Sequence, residues 1–188
     1  MTQIIASIIM GIGLSACCGI RAILPLLGIS VASRLGYIHL NPNFLFLSSN
    51  AALIVFSLAA ILEILAYKVP LVDNFMDAIS VPTAIIAGGI AEASFIKGID
   101  PLLALVIGLI VGGSISGLVK VASGTLRAGV TVATAGVGNI FLSIKEDIIS
   151  VVSIILSIFL PYLALLLLLL IGIVIFIIIK IIKKRKSK

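Results

Sequence analysis

The chain has 188 residues, 62% of them hydrophobic and 11% charged, and 13 Lys and Arg against 7 Asp and Glu give a net charge of +6. Its mean hydropathy is +1.41. A soluble domain carries about a quarter charged residues and needs them to face water, so a soluble enzyme, a nucleic-acid reader and a disordered chain are excluded. The composition predicts an all-α integral membrane protein.

Residues 1–20 are uncharged. Leu14-Ser15-Ala16-Cys17 resembles a lipoprotein cleavage box, but a signal peptide needs a basic start and no Lys or Arg precedes Arg21. The segment therefore reads as membrane helix. Cys17 and Cys18 are adjacent in an apolar run, where neighbouring thiols rarely bridge and cannot complete a metal site alone.

A span needs about 20 apolar residues. The first lies within residues 4–33, interrupted by Arg21 and Pro25; the second covers 44–66; the third runs from Asp77 to Phe95 through Pro82. The fourth starts at Pro101 and reaches about Val119, with a less apolar extension to Gly138. Residues 148–179 carry no charge, and as one straight helix they would extend about 48 Å. A break at Pro161 gives two spans instead, 139–159 and 162–183. Six spans are expected, with a single kinked last helix and five spans as the alternative. The transmembrane domain is 1–179, and 180–188 is a basic cytoplasmic tail. Six spans in the inner (plasma) membrane place both termini, Lys68 and the tail on the cytoplasmic side, as positive residues prefer. The tail is then a contact for anionic lipid.

Small residues recur every fourth position at Ser7, Gly11, Ser15 and Gly19, and again at Ala104, Gly108, Gly112 and Ser116. That spacing puts each set on one helical face, where backbones approach closely. Basic residues follow both stripes, Arg21 after the first and Lys120 and Arg127 after the second. A helix containing an acid follows each, Glu63 in one half and Glu146 in the other. The pattern fits two inverted three-helix repeats, 1–96 and 101–183, with broken or re-entrant first and fourth helices. Small-residue stripes without any duplication are the competing reading.

Gly13-Leu14-Ser15-Ala16, Gly19, Arg21, Pro25-Leu26-Leu27 and Ala32-Ser33-Arg34-Leu35-Gly36 form one motif, and Glu63, Ala66, Lys68, Pro70, Asp73 and Asp77 a second. Together they resemble a bacterial membrane-protein family, also found in plastid-bearing organisms, that is catalogued only as a domain of unknown function. The resemblance covers most of the chain and implies a multi-pass protein but no activity. This chain has Tyr67 where the family usually has Asp, and Val81-Pro82 where it has Arg-Pro. A charge pair between the second and third helices is thereby missing.

Charged groups deep in a bilayer are costly and mark pathways or buried pairs. Arg21 lies just before Pro25, which disfavours continued helix, so it stands beside a broken helix or snorkels at the end of the span. Lys120 and Arg127 are two turns apart on one face, in a stretch rich in Gly, Ala, Ser and Thr that suits a cavity or an interfacial helix. Glu63 reads as interfacial near Lys68 or as an acid facing the bundle, and Glu92 as interfacial near Lys97. Asp77 reads as a helix cap. His39 is the only histidine and no phosphate loop is present, so no enzyme activity and no cofactor are expected. The expectation is a transporter or channel for a small, anionic solute, with Arg21, Lys120 and Arg127 lining the cavity and Glu63 and Glu146 as counter-charges. The rival is a non-catalytic scaffold or lipid-interacting protein, as a subunit of a larger complex. Expected partners are membrane lipid and a small solute, with no nucleic acid; a homo-oligomer stays open.

Overall fold

The structure, a computed structural model, describes the backbone of residues 2–134 and 137–186. The side chains of residues 2, 70, 71, 73–75, 77, 78 and 174–186 are outside the description. The expectations for capping by Asp77 and for lipid contact by residues 180–188 therefore fall outside the described residues. All described elements are helical. They are α1 (Thr2–Ile20), α2 (Ile23–Arg34), a 3₁₀ segment (Pro42–Ser48), α3 (Asn50–Ala66) and α4 (Pro70–Ala93). After them come α5 (Pro101–Gly108), a π turn (Leu109–Gly113), α6 (Ser114–Thr134), α7 (Val137–Phe159) and α8 (Pro161–Lys186). Two helices, Gln3–Ile20 within α1 and Pro101–Thr134, are long and apolar enough to cross a membrane. The 3₁₀ segment with α3, bent by 58°, makes a third if taken as one span.

The chain reverses between α1 and α2. Gly13 packs against Ser157 and Gly28 against Ile154, positions less than one turn apart on α7. A straight helix would hold Gly13 and Gly28 about 22 Å apart. Only Arg21 and Ala22 separate the two helices, so the first expected span is broken at Arg21, with α2 as a short returning leg. A second reversal follows α7, where Pro161 has no N–H to continue the helix. Ile149 and Ser153 of α7 line a cavity together with Leu168 and Ile171 of α8, so the two helices lie side by side. The uncharged run 148–179 is thus two helices and not one.

The small-residue stripes meet each other. Ser15 lies against Gly112, and Gly19 against Ser116 and Val119. α4 runs antiparallel to both, with Gly88 against Gly112 and Ser116, Gly108 against Gly89 and Ala93, and Gly11 against Glu92. The Ser15 hydroxyl donates to the Gly88 carbonyl at 2.8 Å. A Cβ at Gly112 would strike the Gly88 carbonyl oxygen, and one at Gly108 the Gly89 carbonyl oxygen, so only glycine permits these backbones to touch.

Three expectations are corrected here. The stripe helices run in the same direction, since Ser15 meets Gly112 and Gly19 meets Ser116, whereas an inverted pair would run oppositely. The fourth expected span is neither broken nor re-entrant: Pro101–Thr134 is one continuous 34-residue helix that absorbs a π turn. A spacing of four drifts about 40° per step around an α-helix, and the wider π turn brings Gly108 and Gly112 back toward α4. Finally, α2 adds a leg. The helices alternate in direction from α1 to α8, with α5 and α6 as one leg, and the start of α1 and the end of α8 lie at opposite ends of the bundle. Termini on one face are expected only if the reversal at Arg21 is counted inside a single span.

Candidate functional site

Lys120 and Arg127 lie two turns apart on α6 and both point inward, buried to 5% and 2% exposure. Arg21, at the break between α1 and α2, is fully buried. All three converge on Tyr67, which follows the last turn of α3. The Arg21 and Arg127 guanidinium carbons lie 4.3 Å and 4.4 Å from the Tyr67 ring centroid. The Lys120 ammonium lies 5.0 Å away and donates to the Tyr67 hydroxyl at 3.0 Å. The ring's negative face attracts cations, most strongly where water is excluded.

Two carboxylates of α7 balance the cations. Arg127 is ion-paired with Glu146, and Arg21 approaches the same carboxylate at 3.8 Å. Arg21 Nε lies 2.8 Å from Asp147 Oδ1, whose second oxygen is 3.9 Å from Lys68. Arg21 Nη2 also donates to the Ser143 hydroxyl at 2.8 Å and to its carbonyl at 3.1 Å. Its other terminal nitrogen, Nη1, has no hydrogen-bond partner among the described residues. α7 supplies these groups because Ser143, Glu146 and Asp147 fall within about one turn, on or beside a single face.

Glu63 serves a different group. Its carboxylate accepts the backbone N–H of Ala22 at 2.8 Å and of Ile23 at 3.1 Å. These are orphan donors at the start of α2, which has no side-chain cap of its own. A carboxylate there is favoured by both the hydrogen bonds and the helix dipole. Glu63 therefore caps the broken helix; among the described contacts it is neither an interfacial partner of Lys68 nor a counter-charge to the three basic residues.

The structure brings Arg21, Lys120, Arg127 and Glu146 into one cluster. Sequence reasoning misses two members. Asp147 has no role in the sequence reading, although its adjacency to Glu146 is a visible signal. Tyr67 stands out in the sequence only as a missing acid, and in this chain an aromatic face takes the cations instead. Glu92, expected at the interface, is 1% exposed. Beside the cluster lies a cavity of about 350 Å³ whose wall is mostly apolar, with Ile23, Leu62, Met76 and Ile79 among its residues, and whose polar groups come from Glu63, Tyr67, Lys120, Ser80 and Thr83.

An all-helical bundle with apolar helices of membrane-crossing length, closed around a buried charge cluster, defines a membrane-associated helical protein. Within that class, residues 8–181 match the family described as Domain of unknown function (DUF4126), and the chain belongs to that family. No curated protein and no solved structure matches the chain.

Proposed function

We propose that the protein moves a small, anionic solute across the inner membrane through the cavity beside Tyr67, as a transporter or channel. The supporting observation is that Lys120 and Tyr67, joined by a hydrogen bond, line a cavity that also reaches Glu63 at the mouth of a broken helix. Fixed charge beside a helix break is a common construction of solute sites in membrane proteins; here Glu63 already occupies the freed backbone donors, so the attraction for an anion comes from Lys120. The cavity's volume suits a small molecule. In this reading the end carrying Lys68 and the tail faces the cytoplasm, by the preference of basic residues for that side, and α1 begins on the opposite face.

The experiment is flux in proteoliposomes with a panel of small anions and cations, comparing wild type with Lys120→Gln. Lys120 is the better target than Arg21, because Arg21 also holds Ser143 and Asp147 and its loss would unsettle the fold. The reading expects anion flux in wild type and at least a tenfold loss in folded Lys120→Gln. Unchanged flux in the variant removes Lys120 from the path.

A second reading has its own support. Arg21 with Asp147, and Arg127 with Glu146, tie the α1–α2 break and α6 to α7, as a clasp in a scaffold or lipid-interacting subunit would. Folded protein that moves no member of the panel favours this reading.

A further inference from the structure

Glu92 lies outside the cluster and has no role in it. It is 1% exposed, on the last turn of α4. Gly11 stands against it, and residue 11 is the midpoint of α1, so the carboxyl lies level with the middle of an apolar helix of membrane-crossing length. Its Oε2 has no hydrogen-bond partner, and no ion pair involves it among the described residues. The second neighbour is the π turn, where a Cβ on Gly112 would meet the Glu92 Cβ at 2.6 Å.

The elements around it supply no counter-charge. α1 carries no charged residue, and its titratable groups, Cys17 and Cys18, lie about two turns further along. The leg 101–119 carries none, and Lys120 is eight residues beyond Gly112, about 12 Å along the helix. On α4 itself, Asp73 and Asp77 are at the far end, four to five turns away. Lys97, beyond the helix, is exposed. Arg34 of α2 is bonded to Asn50 and Ser48, and Glu63 of α3 to Ala22 and Ile23.

An ionised carboxylate placed so would have neither cation nor donor among the described residues in an apolar crossing, which strongly disfavours the charged form. A metal cation would need several oxygen ligands around it, and the glycine backbones fill that space. A proton needs neither. We propose that Glu92 is a proton-binding site at mid-depth in the bundle, held as the neutral acid between Gly11 and Gly112, and that its release and uptake of a proton couples the solute movement proposed above. The coupling rests on that reading; the site itself does not.

A hydrophobic carbodiimide reports the acid directly. The carboxyl proton passes to a carbodiimide nitrogen, the carboxylate oxygen bonds to the central carbon, and rearrangement leaves an N-acylurea carrying the whole reagent with nothing lost. Dicyclohexylcarbodiimide applied to the purified protein in lipid should add one reagent mass at Glu92, identified by peptide mass spectrometry, and less as the pH is raised. The label should vanish in Glu92→Gln, which replaces one neutral group with another of the same shape and should elute from gel filtration as wild type does. Folded protein without label at Glu92 at any pH overturns the site. In proteoliposomes, a pH gradient should drive solute in wild type and not in Glu92→Gln. Solute flux indifferent to the gradient in labelled wild type overturns the coupling alone. Absence of any flux sinks the transport reading, while the label still decides the site.

Discussion

Tyr67 holds three cations with one ring, and its ring and hydroxyl contribute separately. Tyr67→Phe keeps the ring and removes the acceptor for Lys120, a loss of about 1 kcal/mol of stability. Tyr67→Leu leaves Arg21, Lys120 and Arg127 without an aromatic face and should cost about 3 kcal/mol. Unfolding titrations in detergent separate the two; equal costs would mean that the ring face contributes nothing. Glu63→Gln keeps the shape of the cap but not its charge at Ala22 and Ile23, for a loss of about 1 kcal/mol in the same assay. At this scale the basic residues are legible in the sequence, because charges in an apolar run need explanation. Their partners are less so. The hydrogen-bonding role of Glu63 depends on α2 folding back toward α3, and local sequence around Glu63 carries no sign of a helix start some forty residues earlier.

The crossing of α1, α4 and the α5–α6 leg is limited by backbone, not by side chains. A Cβ at Gly112 would overlap the Gly88 carbonyl, which cannot rotate away, so Gly112→Ala should destabilise by about 1–3 kcal/mol. A Cβ at Gly124 of α6 would meet nothing within 4 Å. Gly124→Ala should therefore stabilise by up to about 1 kcal/mol through helix propensity alone. Melting temperatures that move the same way in both variants would contradict the assignment of contacts. The spacing of four announces both stripes as packing faces, and they pack. It does not announce that they pack on each other in parallel, because periodicity defines a face and not the direction of its partner. The π turn is hidden for a related reason: Leu109–Gly113 has the composition of an ordinary apolar helix.

Across the whole molecule, the extra leg α2 decides topology. It is 12 residues long, too short to cross a bilayer, and a count based on span length merges it with α1. Reporter fusions at the start of α1 and the end of α8 should fall on opposite sides of the membrane, and reporters on one side would contradict the reversal at Arg21. The break at Pro161 is legible in the sequence, since proline disfavours a continuing helix wherever it stands; the break at Arg21 emerges only from the tertiary contacts of Gly13 and Gly28 with α7.

The central claim is that the cavity beside Tyr67 is an aqueous path for anions. Thiol accessibility tests it most directly, with Cys17→Ala and Cys18→Ala removing both native thiols. In that background Thr83→Cys lies on the cavity wall, while Ile86→Cys, about one turn along α4 and 56% exposed on the outer surface of the bundle, lies away from it. The account predicts that a small, negatively charged methanethiosulfonate modifies Thr83→Cys and not Ile86→Cys in liposomes, and that the transported anion slows the reaction. A folded Thr83→Cys protein as unreactive as Ile86→Cys would contradict it.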